Sequence, residues 1–310
     1  MPTKRGNDMT IKEFNVISKY DNLALKGLIF IPEEEAKGIV QFVHGMCEHK
    51  KHYEDIMTFF TQNGYVTVIH DQRGHGESVR DKNDYGWFGD LDGKAIVEDA
   101  AQVTEYVRAL YPKLSLTLFG HSMGSLVVRC YLRQYDHLID KLVVCGSPFA
   151  NPLAGPAVYL ARLIGFFKGD HHRSKLLQSL TTGKAANEFE KKHGSWLTSD
   201  GKVVKGYLSD PMRMFNFTCN GYSNLLALSR DTYSKKGYGV KNPSLPIHFI
   251  SGSADILLGN ELKWFSAIEL LREIGYDNVT GKLYEGMRHE IHNEIGKEEV
   301  YQDVLRFIQG

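Results

Sequence analysis

Short apolar runs alternate with helix-like stretches along most of this 310-residue chain. Buried parallel strands are continuous apolar runs, and apolar residues spaced three or four apart are typical of amphipathic helices. The alternation therefore predicts an α/β fold, with a mostly parallel central sheet flanked by helices. The predicted strands are 11–17, 23–31, 39–43, 66–70, 114–119, 141–145, 246–251 and 278–284, and the predicted helices are 53–63, 94–110, 125–134, 261–274 and 294–308.

The alternation stops between Ser147 and Pro243, where helix-like and loop-like pieces follow one another without a second strand pattern. We therefore predict a first part of the core at 1–146, an insertion at 147–243 and a second part of the core at 244–310. The insertion follows the sixth predicted core strand. We expect it to form a mainly helical cap over the carboxyl edge of the sheet, where ligands bind in open α/β folds.

Composition excludes several classes of function. The 37 basic residues balance the 37 acidic ones, whereas a general nucleic-acid binder carries a basic excess. No stretch approaches the 18 apolar residues of a membrane-spanning helix, and residues 1–10 are polar, so no secretory signal is predicted. Four scattered cysteines are typical of reduced thiols, so we expect a cytoplasmic protein.

We predict no metal and no cofactor. Five histidines lie near one another in the sequence, but they fall in two different loops and lack the compact spacing of a metal-ligand set. They are His44, His49, His52, His70 and His75.

The most informative local pattern is Gly-x-Ser-x-Gly at 120–124, between a predicted strand and a predicted helix. In that context the pattern is typical of a sharp turn that exposes a nucleophilic serine, here Ser122. Glycine is needed at Gly120 and Gly124 because a Cβ atom would clash in so tight a turn. By itself the motif is equally compatible with an ordinary glycine-flanked turn.

Polar residues follow three other predicted strands at the same edge of the sheet. His44, Gly45 and Met46 come after strand 39–43, Asp255 follows strand 246–251, and His289 follows strand 278–284. Together with Ser122 they supply a nucleophile, an acid and a base in the chain order Ser, Asp, His. The alternatives that we considered are His292 as the base and Asp231 or Asp277 as the acid.

Five stretches together resemble the α/β-hydrolases of the monoacylglycerol lipase, lysophospholipase and serine aminopeptidase group. They are 42–49, 71–78, 120–124, 251–255 and 285–290. Two departures are visible: Asp255 precedes Ile-Leu-Leu-Gly where the family often has a proline-containing turn, and His292 replaces a typical apolar residue.

The resemblance implies a serine hydrolase that cleaves carboxylic esters through an acyl-enzyme. Ser122 would be the nucleophile, His289 the base and Asp255 the residue that orients the base. The backbone N–H groups of Met46 and Met123 would form the oxyanion hole. The implied substrates are small acyl esters such as monoacylglycerols or lysophospholipids.

Substrate preference stays open at this point. A peptidase or amidase on the same triad, and a non-catalytic ligand-binding protein, are the alternatives. The apolar stretch 157–167 is interpreted either as the buried face of a cap helix or as an acyl-chain wall or lipid-contacting lid, with Tyr159, Leu163 and Phe166 as candidate substrate contacts. Cys47 adjoins the oxyanion loop, which suggests that thiol reagents could inhibit the protein. The oligomeric state is not predicted.

Overall fold

A nine-stranded sheet forms the centre of the protein. A computed structural model describes the backbone of residues 3–5, 9–89 and 92–310, and the side chains of these residues apart from 3–5, 182, 184 and 185. The spatial order of the strands is β1-β2-β3-β5-β4-β6-β7-β8-β9. Their bounds are β1 Thr3–Arg5, β2 Met9–Ile17, β3 Ala24–Pro32, β4 Gly38–Val43, β5 Tyr65–His70, β6 Leu116–His121, β7 Lys141–Cys145, β8 Ile247–Gly252 and β9 Val279–Tyr284.

The pairing of the strands is mostly parallel, as predicted. The first three strands pair antiparallel, and β3 also runs antiparallel to β5. From β5 to β9 every neighbouring pair is parallel. The carboxyl ends of these strands therefore meet at one edge, which is where the polar residues of the sequence motifs were expected.

Ten α-helices are described in these residues. Their bounds are α1 Glu54–Gln62, α2 Lys94–Leu110, α3 Met123–Tyr135, α4 Ala154–Lys168, α5 Lys175–Gln178, α6 Lys184–His193, α7 Gly201–Ser209, α8 Cys219–Thr232, α9 Glu261–Ile274 and α10 Lys297–Gln309. The predicted bounds of α2 and α9 match. The last helix starts three residues later than predicted, because Gly296 adopts a left-handed conformation immediately before it.

Both faces of the sheet are buried. Neighbouring residues of β6 enter different clusters: Leu118 packs with residues of α2 and α3, and Phe119 packs with residues of α1 and α10. Successive side chains of a strand point to opposite faces, so the continuous apolar run of β6 reflects helices on both sides. The prediction of an α/β sheet flanked by helices is confirmed.

The strand count differs from the prediction at the N-terminus. The structure adds β1, an edge strand whose sequence Thr-Lys-Arg carries no apolar alternation. The insertion follows β7, which is the predicted strand 141–145; it is the seventh strand and not the sixth only because β1 is added. Helices α4 to α8 lie between β7 and β8, and we keep 147–243 as the proposed bounds of the cap.

The first cap helix buries its small residues. Val158, Ala161 and Gly165 of α4 are buried, and α4 packs along α8. Small side chains allow the two helices to approach closely. Leu160 and Ile164 are half-buried against the core, whereas Tyr159, Leu163, Phe166 and Phe167 are exposed. The interpretation of 157–167 as the buried face of a cap helix therefore holds for only part of its large residues.

Within the described residues, no helix has both the length and the apolar character needed to cross a membrane.

Candidate active site

Ser122 lies in a tight turn between β6 and α3. Its φ of 52° is in the left-handed region, which is unusual for a residue with a side chain. A Cβ atom on Gly124 would overlap the carbonyl oxygen of Val43, and one on Gly120 would come within 2.5 Å of the carbonyl oxygen of Gly124. The two glycines of the motif are thus required by the close packing of this turn against β4.

A continuous hydrogen-bonded chain joins three of the predicted residues. His289 Nε2 lies 2.8 Å from Ser122 Oγ, and His289 Nδ1 lies 2.8 Å from Asp255 Oδ2. All three side chains are buried. Asp255 also accepts the backbone N–H of Leu257 at 2.8 Å, which fixes the carboxylate toward the histidine.

The loop after β4 brings Met46 to the same place. Met46, Met123 and Ser122 line one cavity, which we call the site cavity. Met123 is the first residue of α3, and the first N–H groups of a helix have no partner within it. Gly45 N donates to Glu48 Oε2 at 2.9 Å, which shapes the loop around Met46.

The site cavity has a volume of about 260 Å³. Its wall combines apolar side chains of the core and the cap, among them Leu126, Phe215, Tyr222, Leu225 and Leu257, with polar ones, among them Gln178, Asn187, Glu190, Arg213 and Asn216. Such a cavity can hold an apolar group next to a serine hydroxyl together with polar groups of the same ligand.

A buried network of charges lies beside the histidine. Glu290 accepts from Arg213 Nη2 at 2.9 Å and lies 3.0 Å from His52. Burial alone would raise the pKa of this carboxyl group, but the neighbouring His52 and Arg213 hold its pKa well below the usual range. Glu290 is therefore a carboxylate whose charge is balanced inside the protein.

Trp196 covers the ring of His289. The two rings are 5.0 Å apart between centroids, at an interplanar angle of 33°. Trp196 belongs to a cap segment, residues 193–199, that we call the strap. The strap is tied to the His289 loop, because Glu290 N donates to Leu197 O at 2.7 Å and Arg288 donates to the carbonyl oxygens of Ser195 and His193.

Comparison with known proteins shows the family of this chain. A family model described as serine aminopeptidase, S33, matches residues 34–296. The chain belongs to the serine aminopeptidase S33 family. A monoacylglycerol lipase of Mycolicibacterium smegmatis is 25% identical over 289 residues, covering 90% of this chain and 91% of that protein. A probable lysophospholipase L2 of Haemophilus influenzae is 33% identical over 118 residues, covering 38% and 37%.

A solved structure resembles this S33-family protein over nearly its whole length. It is a thermostable carboxyl esterase from Bacillus coagulans in complex with glycerol, with a TM-score of 0.84 and 27% identity, covering 97% of this chain and 98% of that one. The α/β-hydrolase resemblance that the motifs indicated is thereby confirmed.

The structure brings one candidate base and one candidate acid next to Ser122. His289 contacts both Ser122 and Asp255, whereas His292 packs against the rings of Tyr53 and His121. Burial holds the pKa of His292 well below its ordinary value. Asp231 pairs with Arg230 on α8 and contacts none of these residues in the described structure.

The predicted substrate contacts on α4 lie elsewhere. Tyr159, Leu163 and Phe166 are 68%, 56% and 82% exposed, and none of them is among the described residues that line the site cavity. The residues that do line it include Phe215 and Tyr222, which come from later parts of the cap. Sequence patterns did not indicate these positions, because cap residues show no motif.

Two other functional candidates could not be found in the sequence. Trp196 and Arg213 lie far from every motif and reach the site only through the fold of the cap. Glu48 and Glu290, by contrast, lie next to motif residues. Their positions beside the predicted oxyanion loop and beside the predicted base could have marked them as candidates.

One buried group has the spacing of metal ligands. The ligand atoms of His121, Cys145 and His292 lie within 4.8 Å of one another. However, His121 faces Glu48 at 3.1 Å with one ring nitrogen and the carbonyl oxygen of His289 at 3.3 Å with the other. Burial also raises the pKa of the Cys145 thiol well above its usual range. This chemistry disfavours a metal, and the absence of a metal site stays a prediction.

Proposed function

We propose that this protein is a serine hydrolase that cleaves carboxylic esters through an acyl-enzyme on Ser122. The observation that carries the proposal is the chain of 2.8 Å contacts from Ser122 through His289 to Asp255, at the wall of a cavity. A free serine hydroxyl is a weak nucleophile, and it needs an adjacent base that accepts its proton.

In the proposed mechanism His289 acts first as a base and then as an acid in each half-reaction. Ser122 Oγ attacks the acyl carbon while His289 Nε2 takes the proton, and the same imidazole then gives the proton to the leaving alcohol. Water attacks the acyl-enzyme by the reverse route. Asp255 accepts the Nδ1–H of His289, so it fixes the tautomer and stabilises the imidazolium that forms.

The tetrahedral intermediates carry a negatively charged oxygen. We assign its stabilisation to the backbone N–H groups of Met46 and Met123, two residues that line the site cavity together with Ser122. The position of Met123 at the start of α3 supports this role, because the helix dipole also favours negative charge there.

Esters are favoured over amides as substrates. The proteins that resemble this chain over most of its length include a monoacylglycerol lipase and a carboxyl esterase. Monoacylglycerols and lysophospholipids are therefore candidate substrates, and peptide hydrolysis is the weaker alternative in spite of the family name.

Labelling with a fluorophosphonate tests the proposal. This probe forms a covalent adduct only with an activated serine, so we expect one adduct on Ser122 and none in the Ser122→Ala variant. Residual ester hydrolysis in Ser122→Ala should be about 10⁶-fold below that of the wild type. Absence of labelling in the wild type would indicate a non-catalytic ligand-binding protein. Turnover of aminoacyl anilides without turnover of p-nitrophenyl esters would indicate an amidase.

Contact with a lipid surface through α4 is a further part of the proposal. Its exposed apolar side chains form a continuous outward face, with Tyr159, Leu163, Phe166 and Phe167. Exposed apolar groups of this size are typical of a surface that meets lipid or protein. We expect the Phe166→Ser/Phe167→Ser double variant to bind phosphatidylcholine vesicles more weakly than the wild type, with unchanged hydrolysis of a soluble short-chain ester.

We also propose that the protein acts in the cytoplasm. Its four cysteines are free and buried thiols, as is usual in a reducing compartment. Fractionation of cells that express the chain tests this proposal: recovery in an oxidising compartment would contradict it.

A further inference from the structure

The half-buried indole of Trp196 packs on the ring of His289, the proposed base. The ring centroids are 5.0 Å apart and the interplanar angle is 33°, which is nearer to parallel than to perpendicular. The imidazole therefore meets the face of the indole and not its edge. The face of an indole carries partial negative charge and attracts a cation that lies within about 6 Å of the ring centroid.

Hydrogen bonds on both sides of the two rings keep them in register. The residues that flank the indole bond to the residues that flank the imidazole. Arg288 Nη1 donates to the carbonyl oxygen of Ser195 at 2.5 Å, and Glu290 N donates to that of Leu197 at 2.7 Å. A movement of the indole away from the imidazole would break bonds on both sides, so the backbone of the strap fixes the contact between the rings.

Trp196 also separates the imidazole from open space. It lines the site cavity and, in the described structure, a second cavity of about 280 Å³ that none of Ser122, Asp255 and His289 lines. The side chain of His289 is only 2% exposed. Because water screens charge, the attraction between an imidazolium and the indole face is stronger where water is excluded.

The charge on His289 changes during the proposed reaction. The imidazole is neutral before Ser122 attacks, and it becomes an imidazolium as each tetrahedral intermediate forms. Its Nδ1 and Nε2 atoms are committed within the ring plane to Asp255 and Ser122, so a further group can stabilise the cation only from above or below the ring. The indole occupies such a place. It therefore stabilises the transition state more than the ground state, and only such a difference accelerates a reaction.

The charged and titratable groups near His289 come from the core, from its own loop and from the cap. They are Asp255 after β8, His121 at the end of β6 with its partner Glu48, and Arg288 and Glu290 of the same loop, the latter with Arg213 and His52. At the end of β7, burial raises the pKa of the Cys145 thiol well above its usual range, so this thiol is uncharged. Trp196 carries no charge, so replacing it leaves these charges in place and changes only the surface that covers the ring.

We propose that Trp196 is a positioning residue of the hydrolase, which holds the imidazole of His289 between Ser122 and Asp255 and stabilises the imidazolium with its aromatic face. The inference rests on the proposed ester hydrolysis and adds to it a cap residue that acts through the base.

The Trp196→Leu variant tests the aromatic face, because leucine keeps an apolar cover on the ring but offers no π-electrons to a cation. We expect kcat for p-nitrophenyl butanoate to fall about 3- to 10-fold, with a change in KM of less than about twofold. The acid limb of the kcat/KM profile reports the pKa of the base in the free enzyme, and this pKa should fall by about half a unit to one unit. The fall is expected because the imidazolium loses a stabilising partner while water stays excluded. An unchanged acid-limb pKa would overturn the inference whatever happens to kcat, since a merely structural change lowers activity without shifting that pKa.

Two further variants are the matched comparisons. Phenylalanine offers a weaker aromatic face, so Trp196→Phe should lie between the wild type and Trp196→Leu in both kcat and acid-limb pKa. If Trp196→Leu does not fold, a wild-type pKa in Trp196→Phe overturns the inference. Trp87 also stacks on a histidine ring, that of His171, at 5.0 Å and 15°, but it is not among the described residues that line the site cavity. Trp87→Leu should leave kcat and the acid-limb pKa unchanged, and a shift as large as that of Trp196→Leu would show that the effect does not come through His289.

The two proposals fail in different ways. Absence of fluorophosphonate labelling in the wild type would refute the hydrolase itself. A labelled enzyme whose pH profile is the same in Trp196→Leu would refute only the role of Trp196.

Discussion

Glu48 Oε1 lies 3.1 Å from the ring of His121, and both side chains are buried. This ion pair joins the loop after β4, which carries Met46, to the residue that precedes Ser122. Burial opposes both charges, but each partner stabilises the other, so the pKa of Glu48 is held well below and that of His121 above its ordinary value. This buried ion pair therefore holds the loop that carries Met46 next to the start of α3, which carries Met123.

The Glu48→Gln substitution removes the charge of the side chain but keeps its shape. It should therefore weaken the contact between the Met46 loop and His121. The carboxylate also accepts from Gly45 N and from Tyr53 OH at 2.7 Å. We expect kcat to fall by up to about 10²-fold, the effect of losing one oxyanion donor, with a smaller change in KM. Steady-state kinetics on a soluble ester measures this. The exposed Glu261→Gln should behave as the wild type, and an unchanged kcat in Glu48→Gln would show that the pair does not position the loop.

Gly124→Ala should destabilise the protein on the order of 3 kcal/mol, because its Cβ atom would overlap the carbonyl oxygen of Val43 in a packed region. Gly206 is a matched control: it also lies in a helix, but nothing is within 4 Å of an added Cβ atom. Gly206→Ala should instead stabilise by about 0.5–1 kcal/mol. Urea unfolding of the two variants measures both effects, and equal midpoints would contradict the prediction.

Cys47 should resist alkylation, contrary to the expectation from its place beside the oxyanion loop. Its thiol is buried and donates to the carbonyl oxygen of Phe215 at 3.2 Å. Burial raises the pKa of Cys47 to about 12, so almost no reactive thiolate is present at neutral pH. After incubation with iodoacetamide at pH 7.5 we expect full activity and no mass increase on Cys47. Rapid modification with loss of activity would contradict this.

The free energy of unfolding should fall steeply in mild acid. Burial lowers the pKa values of His44 and His75 to about 3 and that of His70 to about 4. Below pH 6.5 the unfolded chain binds protons that the folded state cannot, so stability decreases as the pH falls from 6.5 toward 4. Each such histidine contributes a slope of about 1.4 kcal/mol per pH unit.

Thermal unfolding between pH 7 and pH 4.5 measures this slope. His75→Gln should reduce it, because one of the buried neutral rings is removed. The substitution His193→Gln, at an exposed position on the cap, should leave it unchanged. A melting temperature that is constant over this range would contradict the prediction.

Much of the core followed from local sequence. The strands β4 to β8 were predicted because buried parallel strands are mostly continuous apolar runs, and α2 because its apolar residues recur on one face. Strand β1 was missed because an edge strand needs no apolar pattern. The outward face of α4 was misjudged because the pattern gives a side chain's polarity, but not whether a neighbouring helix needs a small residue there.

The sequence by itself determined the residues that can perform the chemistry: Ser122 between its two glycines, followed by Asp255 and His289 at the ends of later strands. Their residue types and their places after apolar runs are local properties that a single chain displays. Only the tertiary structure decided what surrounds them. The packing of Trp196 on His289 and the ion pair of Glu48 with His121 both join segments that are distant in sequence. Such contacts depend on packing and leave no periodic pattern in the chain.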